Sequence, residues 1–290
     1  MLLLNLLGKK RMISVLILTK NEACNIEACV QSCSWSDDIL VFDSYSTDET
    51  AEKAESLGAR VFKREFDNYG AQREAARCLP YKYPWVLAVD ADERPEPALV
   101  EEMYQLVQQP GQKHLAFRLR RKDHFMGRWI KHSTLYPSWF VRLYRHADIF
   151  YEARAVHEYP HVPGIVGELT GHLLHDSFSK GLEEWFVKHC RYATLEAQEN
   201  LKLLSNSSSS SRLFNLISLD PVQRRRKLKE LSVRVPFRPY LRFLYSYVFR
   251  MGFLDGIAGY RYAKMLAMYE QMIVLNMRDI QFKSQKQAQT

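Results

Sequence analysis

Residues 13–18 read ISVLIL, an apolar run that predicts a buried strand. Asn21 then stands as a candidate N-cap, and Ile26, Cys29, Val30 and Cys33 recur at helical spacing. A second buried strand is predicted over residues 39–42, ending at Asp43. A helix is expected from Ser46 or Thr47, with Ala51, Ala54 and Leu57 on one face and Gly58 as its stop. Residues 60–62 read as a short third strand and 71–78 as a helix. Residues 85–89 form a fourth strand that ends in Asp90-Ala91-Asp92. Pro95 and Pro97 suit a helix start, with 98–107 continuing it. Beyond that point the periodicity weakens. Residues 116–120 and 140–144 read as strands, 181–204 as a helix and 205–211 as a serine-rich linker.

Strands alternating with helices over about 100 residues predict an α/β fold, a mostly parallel Rossmann-like sheet flanked by helices. Ligands on such sheets sit beyond the carboxyl ends of the strands. Thr19, Asn21 and Glu22 after the first strand, Asp43 after the second, and Asp90 and Asp92 after the fourth would share that edge. The organisation expected is an extension over 1–11, a catalytic domain over 12–204 with halves at 12–110 and 111–180, a linker over 205–223 and a basic amphipathic helical region over 224–290.

Charge sharpens this division. The chain of 290 residues carries +8, but residues 1–200 hold 25 basic and 28 acidic side chains, whereas residues 201–290 hold 16 and 5. A near-neutral globular part thus precedes a basic part with a different partner. In the basic part, Arg224-Arg225-Arg226-Lys227, Lys229, Arg234, Arg238, Arg242 and Arg250 are interleaved with aromatic and aliphatic residues such as Phe237, Tyr240, Phe243 and Phe249. That mixture suits an anionic membrane surface. An RNA-binding tail would carry similar charge but less apolar content, and a helical pair packed on the catalytic domain is the plainer alternative. No stretch reaches the ~18 apolar residues of a spanning helix, so membrane contact is expected to be peripheral. The N-terminal MLLLNLLGKKRM has its apolar run before its basic residues, the reverse of a signal peptide. Five cysteines fit a reducing compartment better than a disulfide framework, and Cys24, Cys29 and Cys33 lack zinc-site spacing.

Several residue sets could carry chemistry. In an extended segment residues i and i+2 face the same side, so Asp90 and Asp92 could address one Mg²⁺ or Mn²⁺ ion. A solvated or capping acidic turn is the alternative. Asp43 could accept hydrogen bonds from a ligand or from the capping-rich run that follows it. Arg73, near a helix start, suits a phosphate or plain solvent. Glu158 could act as a general base, with His157 doing the same or orienting an acceptor. His175 could complete a metal site from a distant segment or serve as a structural histidine. There is no G-x-S-x-G, Walker A or G-x-G-x-x-G, which removes the usual support for a serine hydrolase, a P-loop NTPase or a dinucleotide dehydrogenase.

Residues 14–22 (SVLILTKNE), 43–50 (DSYSTDET) and 85–93 (WVLAVDADE) together resemble the inverting family 2 glycosyltransferases with a GT-A fold. More narrowly, Gly127-Arg128-Trp129-Ile130, Arg142-Leu143-Tyr144-Arg145, Val156-His157-Glu158 and Gly252-Phe253-Leu254-Asp255-Gly256 resemble bacterial lipopolysaccharide-core and related cell-envelope glycosyltransferases. The likeness covers roughly residues 12–275. It implies a nucleotide-sugar donor held by Thr19, Asn21, Glu22, Asp43, Arg73 and Asp90. It also implies a divalent metal on Asp92 assisted by Asp90, with His175 as a further ligand, and a single displacement with inversion that uses Glu158 as base. Implied partners are a lipid-linked saccharide acceptor and the inner face of the cytoplasmic membrane, with no nucleic acid. Many relatives carry a second acid where Ser44 stands and a glycine where Tyr45 stands. A polyprenyl-phosphate acceptor, a sugar nucleotidyltransferase and a non-catalytic scaffold are the competing readings.

Overall fold

A computed structural model describes residues 12–151, 160–205 and 233–288. The expected extension over 1–11, the serine-rich stretch from 206 and the basic run 224–229 lie outside the described residues. Contacts divide the chain into two units: residues 1–124 with 135–179, and residues 125–134 with 180–290.

The first unit is built on a mixed sheet. Its strands are β1 (Ile13–Thr19), β2 (Ile39–Asp43), β3 (Arg60–Lys63), β4 (Trp85–Asp90), β5 (Glu93–Pro95), β6 (His114–Phe125), β8 (Trp139–Arg145) and β9 (Ile165–His175), with β7 (Arg128–Trp129) falling in the second unit. The order along the sheet is β3-β2-β1-β4-β8-β6-β9-β5. The first four strands are mutually parallel, β8 is antiparallel to both its neighbours, and β6 and β9 are parallel. Helices α1 (Ile26–Ser32), α2 (Thr50–Ser56), α3 (Tyr69–Arg77) and α4 (Pro97–Val107) connect them.

The central strands are buried on both faces, which is why they read as apolar runs rather than as alternation. Val15, Ile17, Leu87 and Val89 pack with Ile26, Cys29 and Val30 of α1 and with Leu99 and Met103 of α4. Leu16, Val86 and Ala88 point the other way, into a cluster with Ala76 and Tyr144. Cys29 and Cys33 are buried in the core and unbridged.

Three local expectations are corrected, and one further strand is found. Asn21 does not cap α1; it has φ 53°, a left-handed conformation that asparagine tolerates, and α1 begins only after Asn25. The run at 46–49 folds as a loop because its side chains bond locally, so α2 begins at Thr50; Asp48 Oδ1 accepts from Thr50 N at 3.1 Å. Pro95 ends strand β5 instead of opening a helix, since residues 93–95 pair with β9. Strand β9 itself was hidden by its glycines. A Cβ at Gly171 would stand 2.6 Å from Leu99 Cα, so close passage of α4 demands glycine where a strand signal would otherwise show.

The second unit is helical in its described C-terminal part, with α5 (Gly181–Ser205), α6 (Arg238–Leu244) and α7 (Gly256–Ala288). Helices α5 and α7 meet through Ala193, Ala197, Ile273 and Met277. Asp255, buried just before α7, accepts from the backbone N–H groups of His132 (2.9 Å) and Ser133 (2.8 Å) and contacts His132 Nδ1 at 2.8 Å. That carboxylate fastens the 250–256 turn to the 131–133 segment.

Candidate active site

The parallel register sets Thr19 beside Asp43 and Leu18 beside Asp90, so the tips of β1, β2 and β4 form one edge. Asp43 is fully buried there. Thr19 Oγ1 donates to its Oδ1 at 2.9 Å, Ser46 N donates to its Oδ2 at 2.8 Å, and Ser46 Oγ donates to Oδ1 as well. Asp43 therefore latches the loop that follows it. The loop after β1 is tied to the same place: Asn21 N donates to Ser46 Oγ and Thr47 N to Asn21 Oδ1, each at 2.8 Å, and Glu22 N donates to Thr50 Oγ1 at 2.8 Å. Tyr45 has φ 54° and an exposed ring. The backbone thus keeps a conformation natural to glycine although the side chain is large.

Next along the edge runs a continuous chain of charges. Arg73 Nη2 lies 3.6 Å from Asp90 Oδ1. Arg142 contacts Asp90 with both terminal nitrogens, at 2.7 and 3.3 Å, and reaches Glu93 Oε1 at 2.9 Å. Arg121 lies 3.5 Å from the same Glu93 oxygen and 2.9 Å from Asp123. Asp123 bonds His175 Nδ1 at 2.6 Å, and His175 Nε2 lies 3.3 Å from Asp92 Oδ2. Strand pairing creates the last of these meetings, because Glu93 and Asp123 both stand opposite His175 in the ladders of β9.

The electrostatics follow from burial and neighbours. Burial favours the neutral form of Asp90, but Arg142 and Arg73 outweigh it and hold the carboxyl well below the usual range. Glu93 moves the other way. Burial, reinforced by Asp90, raises it despite Arg142 and Arg121. Burial lowers His175, but its bonds to Asp123 and Asp92 prevail and lift it to about 9.

Of the expected site residues, Thr19, Asn21, Glu22 and Asp43 are gathered on adjoining loops, Arg73 meets Asp90, and Asp92 meets His175. Asp90 and Asp92 address different partners, and among the described residues no three His, Cys, Asp or Glu side chains form a group able to hold a metal ion. The pair Asp92–His175 supplies one carboxylate and, once a cation displaces the imidazole proton, one ring nitrogen. That donor set fits a cation that takes its remaining ligands from water and phosphate. His157 and Glu158 lie outside the described residues. Their flanks are joined, with Phe150 N donating to His161 O at 3.2 Å and His161 N to Phe150 O at 2.8 Å.

Glu93, Arg121, Asp123 and Arg142 were not singled out from sequence as site residues. A usable signal existed: Arg142 interrupts an apolar strand, and Arg121 and Asp123 share one side of β6 at i, i+2. Asp123 bonds His175 Nδ1, the nitrogen away from Asp92, which is the placement an orienting carboxylate would need if His175 held a metal. Asp123→Asn is expected to weaken Mn²⁺ binding about 10- to 100-fold, read by calorimetric titration at a temperature where the variant is folded.

Residues 14–171 match the family described as Glycosyl transferase family 2. An uncharacterized glycosyltransferase of Rickettsia bellii (strain RML369-C) is 39% identical over 117 residues, which are 40% of this chain and 39% of that protein. The chain thus spans about two-fifths of that relative. The lipopolysaccharide core biosynthesis glycosyltransferase LpsC of Rhizobium meliloti (strain 1021) is 28% identical over 219 residues, 72% of this chain and 78% of LpsC. Among solved structures, glucosyl-3-phosphoglycerate synthase from Mycobacterium tuberculosis, in complex with Mn²⁺, UDP and glucosyl-3-phosphoglycerate, overlaps 42% of this chain and 47% of its own at 25% identity, with a TM-score of 0.33.

Proposed function

The chain belongs to glycosyl transferase family 2, and from that premise we propose that it moves a sugar from a nucleotide-diphosphate sugar to a hydroxyl of a lipid-linked saccharide during cell-envelope glycan synthesis. The observation that carries this reading is the convergence of Asp92 and His175, 3.3 Å apart, beside the arginine-clamped Asp90 on the carboxyl edge of the sheet. Similarity to LpsC over most of the chain supports the choice of acceptor class.

Asp92 and His175 would hold a Mg²⁺ or Mn²⁺ ion, which when bound offsets the charge that grows on the diphosphate leaving group. Thr19, Asn21, Glu22 and Asp43 would shape the nucleoside side of the donor site. Arg73 would lie on its phosphate side, with Asp90 fixing the guanidinium. The acceptor hydroxyl would attack the anomeric carbon from the face opposite the diphosphate, so the configuration inverts as the sugar–phosphate bond breaks. The carboxylate of Glu158 would take the hydroxyl proton, with His157 orienting the acceptor. No helix among the described residues is long and apolar enough to cross a membrane, and the proposed place of work is the inner face of the cytoplasmic membrane.

The test is a panel of nucleotide sugars offered to the purified chain with Mn²⁺, read as release of the nucleoside diphosphate. One donor should be consumed, and excess chelator should abolish consumption. Undiminished turnover in chelator would overturn the metal assignment. Pyrophosphate release from a sugar phosphate and a nucleoside triphosphate would replace sugar transfer with nucleotidyl transfer.

A further inference from the structure

The second unit exposes its apolar side chains in one short stretch. Twelve large hydrophobic side chains between residues 237 and 260 are exposed, and Phe237, Tyr240, Phe249 and Ile257 are 73, 74, 72 and 70% exposed. Helix α6 buries none of its residues. Soluble proteins rarely leave so many contiguous apolar groups uncovered without a partner.

Charge identifies the partner. Residues 233–269 contain Arg234, Arg238, Arg242, Arg250, Arg261 and Lys264 against a single acid, Asp255. Asp255 is buried and bonded to the 131–133 segment, so it offers no negative charge at the surface. Arg238 is paired with Glu270, and Arg250 donates to Thr134 O; counting both acids, the stretch 233–270 is still net basic in sequence. A second copy of this chain would bring two such basic faces together around a twofold axis, an unfavourable apposition. A bilayer of anionic lipids accepts both components at once. Arginines meet the headgroups, and aromatic and aliphatic side chains enter the boundary with the acyl chains.

The stretch is also held in shape. The Asp255 carboxylate anchors the turn, and a Cβ at Gly252 would stand 2.5 Å from Ser246 O, so the backbone passes there with no room for a side chain. A held turn presents its apolar groups without a large ordering cost on binding. We propose that residues 237–257 form a docking face for the surface of an anionic lipid bilayer. Lipid binding is measured without turnover, so its failure would leave the sugar-transfer reading untouched.

The test is co-sedimentation of the full chain with vesicles of phosphatidylglycerol and phosphatidylethanolamine, compared with vesicles of phosphatidylcholine. The expected result is binding at least about tenfold stronger to the anionic vesicles. The triple variant Phe237→Ser, Tyr240→Ser, Phe249→Ser should lose at least about tenfold in that binding with its thermal midpoint unchanged. If the triple variant melts early, Arg242→Glu carries the test, since it spares the apolar groups and must still weaken binding to anionic vesicles. Equal binding to both vesicle types, no binding at all, or variants that bind like the wild type would each overturn the proposal. A concentration-dependent dimer that the triple variant abolishes, without lipid binding, would assign the face to a second copy instead.

Discussion

Asp92→Asn is expected to lower sugar-transfer turnover about a thousandfold and to remove saturable Mn²⁺ binding from the otherwise folded chain. A cation facing a diphosphate leaving group contributes several kcal/mol to the transition state, and about 4 kcal/mol is about three powers of ten in rate. Asparagine keeps the shape of the side chain while losing its charge, so the effect isolates the carboxylate. The fold should survive, because Asp92 is partly exposed and lies outside the arginine-paired core of the network. Donor-release kinetics give the first readout and calorimetric titration with Mn²⁺ the second. An Asp92→Asn enzyme that turns over within about tenfold of the wild type would refute the assignment.

The second large effect concerns stability. Arg142 is buried between Asp90 and Glu93, and both acids lean on it. Arg142→Met removes the cation and leaves the fully buried Glu93 and the partly exposed Asp90 with less compensation. Breaking a buried pair in this way costs about 3–5 kcal/mol. For a chain of this size that lowers the thermal midpoint by on the order of 10 °C. Adding Glu93→Gln to Arg142→Met should recover part of the loss, because one uncompensated charge disappears with the substitution. The two changes should therefore be non-additive in thermal or urea unfolding. Equal and additive losses would show that the pair does not act as a unit.

The parallel half of the sheet was legible because its strands are enclosed on both faces and carry unbroken apolar runs. Ile13–Thr19, Ile39–Asp43 and Trp85–Asp90 lie where those runs do, and the carboxyl-edge rule groups Thr19, Asp43 and Asp90 as their register does. The antiparallel half was harder. Glu168, Thr170 and two glycines break the pattern of β9, and the glycines are there because Phe117 and Leu99 crowd the backbone. With β9 unseen, the reason His175 approaches Asp92 was also unseen. Asn21 and the 46–49 run misled for another reason. Residues that commonly cap helices bond here to the neighbouring loop, a choice made by contacts about 25 positions apart. Asp90 and Asp92 share a motif but not a target, because Arg142 on strand β8, invisible to a short-range reading, and Arg73 on α3 claim the first of them.

The pairing of β5 with β9 has a consequence for how the protein comes into being on the ribosome. Residues 92 and 175 are distant in the chain, and the intervening strands must be in place before the imidazole can sit against the carboxylate. A nascent chain that has emerged only through α4 owns the nucleoside-side loops yet lacks half of the pair assigned to the cation. The proposed competence for the cation would therefore arrive late in synthesis, together with closure of the far edge of the sheet.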